Sequence, residues 1–108
     1  MRAWIMLALW PGMAGAQEWR ALKGPEIQVA LEARVLGFGD GMMQDFLADG
    51  RSLHGDQWGL WRVLGDRYCS SWPPSELWVC YDVAVLGLEV RFQSDAGDRS
   101  VGRYVDLN

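Results

Sequence analysis

Two cysteines, one histidine and a loose series of aspartates are the side chains of this 108-residue chain best suited to chemistry. Cys69 and Cys80 lack the Cys-x-x-Cys spacing of a redox motif, and one histidine leaves no zinc-ligand set. His54 would need a serine and an aspartate such as Asp56 to act as a catalytic base. No nucleophile-elbow motif is present, and His54-Gly55-Asp56 reads as an exposed loop. Calcium loops place oxygen ligands at alternate positions. Asp40, Asp45, Asp49 and Asp56 are spaced by five, four and seven residues and read instead as a solvated acidic edge. Gly37-Phe38-Gly39-Asp40-Gly41 lacks the G-x-G-x-x-G spacing of a nucleotide loop and reads as a flexible turn. The expectation is therefore no catalytic site, no metal and no cofactor.

Aromatic side chains offer a different chemistry, that of binding. Trp19, Trp58, Trp61, Trp72 and Trp78 all lie beyond residue 16. On a curved sheet such rings either fill the core or form a pocket or stacking platform for sugars. Trp72-Pro73-Pro74 falls between the two cysteines, where proline stiffens the chain. Trp72, Pro73 and Pro74, with Trp58 and Trp78, make up the candidate binding surface. The competing reading for these rings is simple packing against the sheet.

Where the chain goes decides how the cysteines are read. Met1-Arg2 supplies a positive start, Ala3 to Trp10 an apolar run, Pro11-Gly12 a break, and Ala14-Gly15-Ala16 a small-residue cleavage site. Together these read as a signal peptide over 1–16, leaving one domain over 17–108. A spanning helix needs about 20 apolar residues, so no membrane insertion is expected after cleavage. In an oxidising periplasmic or extracellular compartment, Cys69 and Cys80 are expected to form a disulfide. Loss of Arg2 takes the formal charge from −4 to −5. Without a Lys/Arg cluster, that balance excludes nucleic acid as a partner.

The elements that must position these residues are mainly strands. After a lead-in over 17–22, Gly24-Pro25-Glu26 opens a short helix, with Ile27, Ala30 and Leu31 at helical spacing and an end near Ala33-Arg34. Strands are expected over 35–38, 44–47, 51–53, 57–64, 67–70, 77–83, 88–92 and 100–105, with turns such as Asp49-Gly50 and Gly65-Asp66. The fold class is thus mainly β (α+β). It is an antiparallel meander forming a curved sheet or small β-barrel, with one short N-terminal helix over an open end or edge.

A two-residue turn at Gly65-Asp66 sets Leu64 opposite Arg67, Val63 opposite Tyr68 and Arg62 opposite Cys69. Cys69 opposite Cys80 then places Tyr68 opposite Tyr81 and Arg67 opposite Asp82. Side chains alternate across a sheet, so Cys69, Cys80, Arg67, Asp82 and Arg62 share one face. Trp58 and Trp78 point to that face too. Trp61, Val63, Tyr68, Tyr81, Val79 and Val83 share the other, which is the expected core.

The segments Trp61-Arg62-Val63, Gly65-Asp66-Arg67-Tyr68-Cys69, Trp72-Pro73-Pro74-Ser75 and Trp78-Val79-Cys80-Tyr81-Asp82-Val83 resemble small exported alphaproteobacterial domains of unknown function, of the DUF995 type. The resemblance implies a periplasmic location and agrees with the disulfide. It carries over no catalytic residues. Relatives sometimes named dihydrodipicolinate reductase lend this chain no such activity, because the nucleotide fingerprint, the histidine-rich segment and the length are missing. The function expected is a periplasmic or secreted binding or accessory module. Its partner would be another envelope protein or a small apolar or sugar-like ligand. The alternative is an enzyme of unrecognised type, with His54 or an aspartate in a cleft.

Overall fold

The computed structural model describes residues 18–106, so the expected signal segment lies outside the described residues. The elements are β1 (Arg20–Ala21), α1 (Gly24–Leu31), β2 (Arg34–Phe38), β3 (Met43–Phe46), β4 (Arg51–His54), β5 (Gln57–Leu64), β6 (Arg67–Ser71), β7 (Val79–Leu86), β8 (Glu89–Ser94) and β9 (Arg99–Tyr104). Each strand from β2 to β9 pairs antiparallel with the next, and β9 returns to β2. The meander is therefore a closed eight-stranded barrel. No helix among the described residues is long and apolar enough to cross a membrane.

The central register follows the turn and cysteine argument. Arg62 pairs with Cys69, Val63 with Tyr68, Tyr68 with Tyr81, and Cys69 with Cys80. The disulfide joins β6 to β7, with Cα atoms 4.0 Å apart. Although it faces outward, Cys69 is fully buried. The Arg62 guanidinium stacks 4.0 Å from the Trp78 ring centre on that same face. Arg67 bridges Asp82 at 3.1 Å and Asp95 at 2.9 Å, tying β6, β7 and the β8–β9 turn together from outside.

Several boundaries differ from expectation, each for a local reason. The lead-in contains β1, because β6 pairs with only the first part of β7. Arg20–Ala21 takes up the exposed edge beyond it, against Val85 and Ala84. The helix stops at Leu31, short of the expected end. Ala33 adopts φ 60° and its N–H bonds the Phe46 carbonyl at 2.7 Å, turning the chain into β2. Val79, expected in the core, is 46% exposed, since β7 begins at the barrel rim. Val63 and Tyr81 are half-buried, whereas Trp61, Tyr68 and Val83 are buried as expected.

The helix closes one end. Pro25 suits its first turn, where a missing N–H is harmless, and Glu26 accepts the Lys23 N–H at 2.8 Å. That backbone bond, more than Arg20, holds the Glu26 carboxyl below its usual range. Ile27 and Leu31 are fully buried and meet Leu36, Phe46, Trp61 and Val90 in one core. Gly24 docks on the β5–β6 turn, its N–H donating to Asp66 Oδ1 at 2.8 Å. On the far side, the Tyr104 hydroxyl donates to the Ala30 carbonyl at 2.7 Å.

Two predictions follow from this scaffold. A Cβ on Gly24 would collide with the Gly65 carbonyl, so Gly24→Ala is expected to cost about 1–3 kcal/mol in urea unfolding of the protein. Replacing both cysteines by serine removes the constraint on a short loop and is expected to cost about 3 kcal/mol, read in the same assay as a lower midpoint.

Candidate functional site

α1 packs into one end of the barrel, and among the described residues a cavity opens at the other. Four connections surround that mouth: residues 39–42, 55–56, 72–78 and 95–98. Between them lies a cavity of about 450 Å³. Its walls come from almost every strand: Phe38 of β2, Gln44 of β3, His54 of β4, Tyr68 and Ser70 of β6, Tyr81 of β7, Phe92 of β8 and Ser100 of β9. Trp72, just beyond β6, folds over one side.

The inward positions of the strands turn from aliphatic to aromatic and polar toward this end. On β3, Phe46 lies deep in the core and Gln44, two residues earlier, faces the cavity floor. Six rings form an almost unbroken collar around the cavity. Ring centres are 6.0 Å apart for Trp72 and His54, 6.1 Å for His54 and Phe38, and 6.4 Å for Phe38 and Phe92. The collar continues from Phe92 to Tyr81 at 6.5 Å and from Tyr81 to Tyr68 at 5.8 Å. Gly59 leaves the space that the Trp72 indole occupies, since a Cβ there would overlap the ring.

A polar chain crosses the floor. Trp72 Nε1 donates to Ser70 Oγ at 3.2 Å. Gln44 Nε2 donates to the Tyr68 hydroxyl at 3.2 Å and to Ser52 Oγ at 3.0 Å, and Ser52 Oγ in turn donates to the Asp45 carbonyl at 2.9 Å. Gln44 is 8% exposed, and its Oε1 accepts no hydrogen bond among the described residues. Burial pushes the Tyr68 phenol up to about 12, against the opposing pull of Ser70 and Gln44. Burial and, secondarily, Asp98 raise Tyr81 as well. Both phenols are neutral hydrogen-bonding groups at physiological pH.

Chemically, this arrangement suits binding. Aromatic faces hold a small apolar or ring-shaped body, and Gln44, Tyr68 and Ser70 supply directional polar contacts. His54 does not sit in an exposed loop as expected; it ends β4, half-buried between Phe38 and Trp72. It donates to no carboxylate among the described residues, so nothing orients its ring as a base. Asp40 lines the mouth but uses Oδ1 to accept the Met42 N–H at 2.9 Å.

The five residues of the candidate surface are not brought together. Trp72 belongs to the mouth, while Pro73 and Pro74 are exposed on the connection beside it. Trp58 is exposed on the outer wall beneath the Arg51 guanidinium, 5.0 Å from its ring centre, and Trp78 stacks with Arg62. Phe38, Gln44, Tyr68, Ser70 and Phe92 were not among the candidates. For Gln44 a signal existed, a polar side chain at the same strand parity as Phe46. Set against family models, curated proteins and solved structures, the chain matches none of them.

The collar makes a direct prediction for Gly59→Ala. The new Cβ displaces the Trp72 indole, and the Trp72 contribution to emission, isolated by difference from Trp72→Phe, is expected to shift to the red as the ring enters water. An unchanged difference spectrum contradicts the packing described.

Proposed function

We propose that this chain is a small binding module whose barrel mouth takes one small ring-shaped or apolar ligand, with no catalytic step. The single observation that carries the reading is the mouth cavity, walled by a collar of aromatic rings over a hydrogen-bonded floor. Its size lies in the range usual for small-molecule sites, roughly 300–1,000 Å³. A barrel serving only as a contact surface has no need of a partly empty interior.

The disulfide and the N-terminal segment over 1–16 support placing the module in the periplasm or outside the cell. Membership among the exported domains of the DUF995 type belongs to the same reading and rests on the segment around Cys69 and Cys80. One observation favours a second role, as an accessory to another envelope protein. The outward row on β5 leaves Trp58, Leu60 and Leu64 between 44% and 56% exposed.

A thermal-shift screen of the mature protein against small ring compounds tests the ligand reading. A ligand at 100 times its Kd adds about 2.7 kcal/mol of stability, a shift of several degrees in a domain this small. The expected result is a set of stabilising compounds whose effect disappears in Ser100→Trp, which fills the mouth from β9. Compounds that stabilise the variant equally, or a screen without any stabilising compound, would overturn the reading.

A further inference from the structure

The mouth combines aromatic faces with one sign of charge. Its four connections carry Asp40, Asp56, Glu76, Asp95 and Asp98 and contain no lysine or arginine. Among the described residues, no lysine or arginine lines the cavity, and His54 is the one basic side chain in its wall. Arg67 and Arg99, which flank the β8–β9 turn, are engaged outside the barrel. Arg67 pairs with Asp82 and Asp95, and Arg99 Nη2 donates to Gln93 Oε1 at 2.9 Å. Asp40 is the carboxylate that reaches the cavity itself.

An anion is poorly served here. Phosphate, sulfate or carboxylate ligands are held best by guanidinium, ammonium or converging backbone N–H groups, and the lining offers aromatic faces, neutral hydroxyls and a single imidazole beside the Asp40 carboxylate instead. A neutral sugar would use the rings and the Gln44 amide but would gain nothing from the acidic rim. A soft cation gains from both. The negative faces of aromatic rings attract an alkylated ammonium without demanding the hydrogen bonds that hydrated metal ions or lysine-like amines require. Carboxylates around a low-dielectric opening focus their field into it and raise the local cation concentration. The buried Gln44 Oε1, without a partner among the described residues, is an acceptor placed to meet a hydroxyl or N–H elsewhere on the same ligand.

From this combination we infer that the mouth selects a small organic cation, an alkylated or quaternary ammonium bearing a short polar arm. The inference rests on the reading of the mouth as a ligand site and narrows its chemistry. The aromatic collar holds the alkylated nitrogen, Asp40 supplies the facing charge, and Gln44 accepts a hydrogen bond from the polar arm.

Isothermal titration of the mature, disulfide-bonded protein tests it with three probes: choline, its neutral isostere in which carbon replaces the ammonium nitrogen, and glucose. The expected result is saturable choline binding at least about tenfold tighter than binding of the isostere. Asp40→Asn keeps the Oδ1 that accepts the Met42 N–H and removes only charge. It is expected to weaken choline several-fold and leave the isostere unchanged. Trp72→Phe is expected to weaken both. Equal affinity for choline and the isostere overturns the cation inference and leaves the mouth as an apolar site. Glucose binding in preference to choline overturns it in favour of a sugar site. If none of the three binds, the cation inference falls. The broader ligand reading then stands or falls on the thermal-shift screen with Ser100→Trp.

Discussion

Hydrogen bonds between β2 and β9, from Leu36–Phe38 to Gly102–Tyr104, join the first strand of the meander to the last, and the rest of the molecule depends on that closure. An open sheet of these strands would carry two edges and one solvated face. Closed, it has an inside just wide enough for side chains, and its ends become the only ways in. β1 completes the wall where β6 runs out, so the edge that remains is short. Asymmetry then comes from α1, whose Ile27 and Leu31 fill one end and leave the other to be finished by side chains.

Those side chains explain how an opening is maintained without collapse. Apolar interiors close around voids, but the mouth is braced by rings in mutual contact and by hydrogen bonds that fix their orientation. Trp72 is held by Ser70, and Tyr68 by Gln44, so moving either ring breaks a hydrogen bond at the floor. The floor is therefore stiff, and the cavity above it is shaped before anything enters. Preorganisation of this kind lowers the ordering cost of binding.

How much of this was legible in the sequence differs between levels. The Gly65-Asp66 turn and the cysteine pair fixed the β5–β6–β7 register to the residue, because side-chain alternation leaves no freedom once two cross-strand partners are known. Barrel or open sheet was undecided, since closure is a pairing of β9 with β2 across most of the chain and leaves no local mark. Ala33 was missed for a similar reason. Its left-handed conformation is unfavourable for alanine and is imposed by the Phe46 carbonyl, a tertiary contact. His54 was mistaken for loop because its flanking Gly55-Asp56 is indeed a turn, while the histidine itself still belongs to β4. Trp72 was placed on the right loop, but its inward fold depends on the space left by Gly59, thirteen residues earlier on a neighbouring strand.

The central claim is that the aromatic mouth, and not the outer wall, is the working surface. Indole N–H resonances distinguish the two directly, since Trp72 lies at the mouth, Trp61 in the core, and Trp58 and Trp78 outside. Proton–nitrogen correlation spectra would be recorded while the protein is titrated with its most stabilising compound. The account predicts progressive movement of the Trp72 indole and of backbone amides in residues 39–42 and 55–56, with Trp58 and Trp78 unmoved. Movement confined to Trp58 and Trp78 would contradict it.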